Sequence, residues 1–158
     1  MNTTEELTEL SFTVSAYIAR PSAEVYDAVA DPAQLSRYFT TGGARGRLEP
    51  EAEVSWDFED FPGRFPVTVL EADPPRRIVI EWEGEATTDS RSVTTTTFTF
   101  EAVDGDTRTL VTISESGWRV TPEGATQAFG NCGGWTGMLA ALKAWTEHGI
   151  NLREGFYQ

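Results

Sequence analysis

The stretch "NCGGWTGMLAALKAWTEHG", residues 131–149, holds the only histidine, the only cysteine and two of the five tryptophans of the chain. Its period is helical. At about 100° per residue, Cys132, Trp135, Met138, Leu139, Leu142 and Trp145 share one arc, while Thr136, Lys143 and Glu147 turn toward water. The same period reaches back to about Pro122 and ends at His148, with Gly149 as a C-terminal cap. Beside the apolar arc runs a line of small residues, Gly130, Gly134, Gly137, Ala141 and Ala144. Glycine inside a helix costs about 0.5–1 kcal/mol relative to alanine, so the line calls for close approach of a sheet or a ligand to the helix backbone.

The chemistry of this stretch is limited by the same geometry. Cys132 and His148 lie on one helix, roughly 24 Å apart at 1.5 Å per residue, and cannot pair as nucleophile and base. Cys132 reads as a small buried hydrophobe, and His148 as a last-turn residue that complements the helix dipole.

Upstream, the period changes twice. In "SFTVSAYIA" (11–19), Phe12, Val14, Ala16 and Ile18 alternate with Thr13, Ser15 and Tyr17, the pattern of a half-buried strand. "RPSAEVYDAVA" (20–30) turns helical, with Pro21 in the first turn and Val25, Ala28 and Val29 on one face. Asp31 and Pro32 then restart a short helix running to Tyr38 and Phe39, which ends in a loop at Gly42, Gly43 and Gly46.

From there to Trp118 the chain reads as strands: "EVSWDFED" (53–60), "RFPVTVLEA" (64–72), "RIVIEWEG" (77–84), "SVTTTTFTFEA" (92–102) and "RTLVTISESGW" (108–118). The breaks fall at "FPG" (61–63), "DPPR" (73–76), an acidic stretch before Ser90, and "DGD" (104–106). One parity is dry, carrying Val54, Trp56, Phe58, Phe65, Val67, Val69, Ile78, Ile80, Trp82, Phe98, Phe100, Val111 and Ile113. The other carries Ser55, Asp57, Thr68, Glu81, Thr97, Thr99 and Thr112, as in an antiparallel sheet with one wet face.

The totals exclude several classes. A length of 158 residues suits one domain, with residues 1–10 as an N-terminal tail and 11–158 as the folded unit. The opening "MNTTEELTEL" has no basic region followed by an apolar run, so it does not read as a signal peptide, and the sequon at Asn2 carries no meaning without secretion. No stretch approaches the roughly 20 apolar residues that span a bilayer, and the expected location is the cytoplasm. A formal charge of -13 argues against nucleic acid and against an anionic membrane surface. One cysteine excludes an internal disulfide, and with one histidine it excludes the usual zinc sets; a metal site built only of carboxylates stays open but has no supporting spacing, and no metal site or cofactor is assigned.

Catalytic motifs are equally sparse. "GGARG" (42–46) precedes no helix and lacks the Lys-Ser/Thr of a phosphate loop, and there is no G-x-S-x-G elbow. Asp57/Glu59 and Glu81/Glu83 sit on the wet parity, where solvated carboxylates belong. Glu115 differs: it shares the parity of Val111 and Ile113 and should point inward beside Trp118. A buried carboxylate is costly unless paired, protonated or reached by water, which makes Glu115 the best candidate for a polar anchor. No residue is assigned a catalytic role.

Three segments carry a resemblance. "ARPSAEVYDAVADPAQLSRYF" (19–39), "VTVLEADPPRRIVIEW" (67–82), and "TLVTISESGW" (109–118) followed by "GGWTGMLAALKAW" (133–145) occur in an order that resembles the START-like (SRPBCC) superfamily. Within it, they are similar to the branch of homologues of the activator of the heat-shock chaperone ATPase. The chain departs from that branch where a histidine commonly precedes the Gly-Trp pair; here Asn131 and Cys132 stand instead.

The resemblance implies an α+β helix-grip fold, a curved antiparallel sheet wrapped around one long C-terminal helix with two short helices after the first strand. It also implies a pocket between sheet and helix for a small hydrophobic or aromatic molecule. Tyr38, Phe39, Trp56, Phe58, Phe65, Val67, Ile80, Trp82, Phe98, Phe100, Ile113, Glu115, Trp118, Phe129, Trp135 and Leu139 are the residues expected to line or fill it. An empty closed cavity of about 300 Å³ would cost roughly 7 kcal/mol, against a domain stability of about 5–15 kcal/mol, so the rings are expected to leave little space without ligand. Two other functions fit the same superfamily. One is contact with a heat-shock chaperone through an outer patch; the other is a cyclase or dehydratase relying on Glu115 and Tyr38.

Overall fold

The computed structural model describes residues 4–83 and 93–157, so the sequon at Asn2 and the acidic break before Ser90 lie outside the described residues. Within the described residues seven strands and three helices follow in the order β1 (Ser11–Ile18), α1 (Ser22–Ala30), α2 (Pro32–Tyr38), β2 (Gly43–Arg45), β3 (Val54–Phe58), β4 (Phe61–Asp73), β5 (Arg77–Glu83), β6 (Val93–Val103), β7 (Arg108–Ser116) and α3 (Pro122–His148). The strands form one antiparallel sheet in the order β1-β7-β6-β5-β4-β3-β2. The fold is a helix grip: α1 and α2 carry the chain from one sheet edge to the other, and α3 lies on the concave face, packed along β1.

Local chemistry sets the element ends. Asp31 caps α2 by accepting from the Ala33 amide. Pro21 stands at the N-cap of α1 rather than inside its first turn, and without a side-chain cap of its own. The missing partner comes from the β6–β7 hairpin, where Asp106 Oδ1 accepts from the Ser22 amide at 2.8 Å. Thr121 caps α3, and Gly149, in the left-handed conformation at φ 67°, ends it by donating to the Ala144 and Trp145 carbonyls. Arg20 reaches the same end and donates to the carbonyls of Thr146 and Glu147, placing a cation on the negative end of the helix dipole.

Besides Pro21, four details differ from the sequence reading. Gly43–Arg45, read as part of a loop, pair with β3 as the edge strand β2. "FPG" is not a break: Phe58 pairs with Phe61 across a turn at Glu59 and Asp60, and β4 starts at Phe61. Gly63, at φ 129°, lies where the β3–β4 register shifts, a conformation closed to most side chains. Glu147 does not turn to water, because it accepts from the Ala19 amide and pairs with Lys143. Cys132 is half-buried rather than buried.

The core fills the space between the concave face and the helices. Ile18, Leu35, Ile78, Ile80, Ile113 and Leu142 are fully buried there. Leu142→Ala should lower stability by about 2–5 kcal/mol, the usual cost of a buried leucine truncation, read as a shift in the urea unfolding midpoint at unchanged slope.

Candidate functional site

Alternation along β7 turns Glu115 onto the concave face, where it is 1% exposed. Four donors surround it. Oε2 accepts from Trp82 Nε1 at 3.0 Å and Thr94 Oγ1 at 2.7 Å, and Oε1 accepts from Trp135 Nε1 at 2.9 Å and Asn131 Nδ2 at 3.1 Å. The two indoles and the amide NH₂ can only donate, which suits the acceptor-only oxygens of a carboxylate. Hydrogen bonds to a charged group are the strong kind, and together they offset the cost of burying it. The donors come from β5, β6 and α3, so one side chain ties the helix to the middle of the sheet.

The aromatic side chains pack around this centre. Trp135 stacks on Phe39 at 5.5 Å and meets the rings of Trp82 at 5.8 Å and Phe98 at 5.4 Å edge-on. Trp56 contacts Phe39, Trp82 and Trp135 in turn. Such edge and offset contacts add to the burial of the rings and hold their planes.

Beside the cluster lies a cavity of about 380 Å³, open at its rim. Phe39, Phe58, Phe65, Trp82, Trp118 and Trp135 form its aromatic walls. Thr126, Gln127, Gly130, Asn131, Gly134, Gly137, Met138 and Ala141 of α3 form another side. The segment after the helix closes it with Leu152, Arg153, Phe156 and Tyr157. The expectation of little free space is therefore corrected. The rings pack against one another around Trp135 of α3, and beside them the glycines of the helix leave room that no side chain fills. A Cβ added at Gly130 or Gly134 would meet nothing within 4 Å, whereas one at Gly137 would lie 2.9 Å from the Tyr157 hydroxyl.

The C-terminal segment is held by charge. Arg153 Nη2 lies 2.8 Å from both carboxylate oxygens of Asp60 in the β3–β4 turn, with both side chains largely buried. The guanidinium also sits over the Tyr157 ring at 4.5 Å to the centroid.

The residues named from the sequence divide by position. Phe39, Phe58, Phe65, Trp82, Trp118 and Trp135 line the cavity. Tyr38, Trp56, Val67, Ile80, Phe98, Phe100, Ile113 and Leu139 are buried core outside its walls. Glu115 lies behind Trp82, Asn131 and Trp135. Phe129 is a correction: it is 74% exposed, because its position on α3 points away from the sheet. Trp118 stacks on Phe12, and it is not among the donors to Glu115.

The two candidates for acid–base work are both engaged. The Tyr38 hydroxyl donates to the Ala28 carbonyl at 2.9 Å, and burial pushes its pKa well above the usual tyrosine value. Sequence reasoning did not find Thr94, Asn131 as a partner of Glu115, or the C-terminal segment. The one available signal was the aromatic pair Phe156-Tyr157 beyond the helix cap; both residues line the cavity while remaining exposed.

Among the described residues, no group of three or more His, Cys, Asp or Glu side chains could hold a metal ion, and no helix is long and apolar enough to cross a membrane.

A curved antiparallel sheet gripping one long helix, with an apolar cavity between them, defines a START-like domain. The family described as "Activator of Hsp90 ATPase homolog 1-like protein" matches residues 19–147, and the chain belongs to it. Among solved structures, protein MLL2253 from Mesorhizobium loti has a TM-score of 0.76 at 17% identity, with 87% of this chain and 97% of that one covered. The Aha1 dimer from Colwellia psychrerythraea has a TM-score of 0.70 at 19% identity, covering 89% and 98%. The di-domain ARO/CYC BexL from the BE-7585A biosynthetic pathway has a TM-score of 0.71 at 20% identity, covering 87% of this chain and 46% of that one. At these identities the likeness is one of fold. No curated protein matches the chain in sequence.

Two substitutions test this site. Glu115→Gln turns an amide NH₂ toward groups that also donate, and should cost about 2–4 kcal/mol in urea unfolding together with a changed near-UV tryptophan dichroism. Asp60→Asn breaks the charged pair with Arg153. The Phe156 amide, which donates to the Arg153 carbonyl, should then exchange with deuterium about tenfold faster or more, while β6 and β7 amides keep their rates.

Proposed function

We propose that this protein binds a small, predominantly apolar molecule containing a ring in the cavity between α3 and strands β3–β5, holding it without reacting with it. The open cavity of about 380 Å³ with aromatic walls carries the reading, since it falls in the range of small-ligand sites. The glycines of α3 support it: they forgo helix stability at positions where a methyl group would meet no protein atom.

The engagement of Glu115 and Tyr38 speaks for binding over turnover. Each is buried and fully used within the fold, so neither offers a free acid or base to a molecule in the cavity. The ARO/CYC relative shares the architecture, and a reaction of that kind would need polar groups other than these two.

Amide NMR titration with a panel of fatty acids, sterols and planar ring compounds is the direct test. Saturable shifts at Trp82, Trp135, Gly134 and Phe156 are expected. Shifts limited to the outer face around Phe129, seen only with a heat-shock chaperone ATPase, would overturn the reading in favour of a protein partner. Gly134→Ala should raise stability by about 0.5–1 kcal/mol while weakening any ligand found in the cavity, because its methyl group occupies that space. A ligand bound elsewhere would leave affinity unchanged in that variant.

A further inference from the structure

Resting on the cavity reading, we infer that the ligand carries a hydroxyl on its ring system and donates it to Asn131 Oδ1. Three observations carry this.

The Asn131 amide has a fixed direction. Its Nδ2 donates to Glu115 Oε1 at 3.1 Å. Turning the amide over would set its carbonyl oxygen against a carboxylate oxygen that already accepts from Trp135, an acceptor facing an acceptor. Glu115 therefore holds Asn131 with nitrogen inward, leaving Oδ1 as the other end of the group.

That oxygen is unused and accessible. Among the described residues no donor meets Oδ1. It is also absent from the sealed, unpartnered atoms, which are Tyr26 Oη, Thr40 Oγ1, Trp56 Nε1 and Thr96 Oγ1. Asn131 lies in the cavity wall between Gln127 and Gly134, which puts its amide within reach of a molecule held there.

The other polar side chains of the wall are committed, adaptable or donors only. The indole N–H groups of Trp82 and Trp135 point to Glu115, Arg153 is paired with Asp60, and Thr126 donates to the Pro122 carbonyl. The Gln127 amide and Tyr157 hydroxyl can rotate to serve either a donor or an acceptor. The Trp118 indole N–H and the remaining Arg153 N–H groups can only donate, so Asn131 Oδ1 is the fixed acceptor among these side chains, and a fixed acceptor selects a donor.

The selection has a known form. A wall that accepts a hydroxyl proton rejects the analogue in which an ether replaces that hydroxyl, because the buried acceptor is then left without a partner. Since the methyl ether is the more apolar compound, burial alone would favour it, so a preference for the hydroxyl reports the acceptor.

The test compares 2-naphthol with 2-methoxynaphthalene by isothermal titration calorimetry on the full chain. The wild-type protein should bind 2-naphthol about tenfold more tightly. Asn131→Leu should remove the preference by weakening 2-naphthol, while 2-methoxynaphthalene stays within about twofold and so reports an intact cavity. Should that variant fail to fold, the wild-type side-chain NH₂ resonance of Asn131 supplies the second readout, shifting with 2-naphthol and staying still with its ether. Equal affinity for the two compounds in the wild type, or a preference that survives Asn131→Leu, would overturn the inference and leave the cavity reading standing. Failure of both compounds and of the wider panel to bind would remove the cavity reading, and this inference with it.

Discussion

A carboxylate buried on the concave face of a sheet must have its oxygens met by donors, and Glu115 meets that demand with two indoles, an amide and a hydroxyl drawn from three elements. Much of the site follows from this. The nitrogen edges of Trp82 and Trp135 are turned toward one point, which orients both ring planes and sets the stacking of Phe39 and Phe98 around them. The N-terminal half of α3 is thereby joined to the sheet through Asn131 and Trp135 rather than through dense side-chain packing along its whole length.

That division of labour explains how an apolar space persists in so aromatic a fold. The C-terminal half of the helix packs conventionally, with Met138, Leu139 and Leu142 in the core. The half nearer its start is held by the carboxylate, and its glycine stripe is free to face the cavity. The far side is closed by the segment after Gly149, which Arg153 and Asp60 fasten to the β3–β4 turn. A cavity bounded by a segment and open at its rim does not carry the full penalty of a sealed void, which is why the collapse expected from closed-cavity energetics does not occur.

Family membership and site chemistry address different questions. The family match and the fold neighbours establish what kind of domain this is, and one such architecture hosts unrelated activities. The function must be argued from the site. Here Glu115 and Tyr38 are turned inward to hold the fold together, while the cavity wall offers ring faces, helix backbone, the oriented Asn131 amide and the polar groups of Thr126, Gln127, Arg153 and Tyr157.

Periodicity alone determined the elements: the alternation from Val54 to Ile113, the helix from Pro122 to His148 and its Gly149 cap were legible because each depends on neighbours within a few residues. The inward parity of Glu115 was legible for the same reason. The break at "FPG" was misplaced because a Pro-Gly pair reads as a turn, although here the register shift in the β3–β4 ladder absorbs it. The donors to Glu115, the pairing of Arg153 with Asp60 across 93 residues of chain, and the exposure of Phe129 were settled only by tertiary packing. A local pattern states which face of an element is apolar. Only the packed chain decides which groups from distant elements meet there, and whether the space between them is filled.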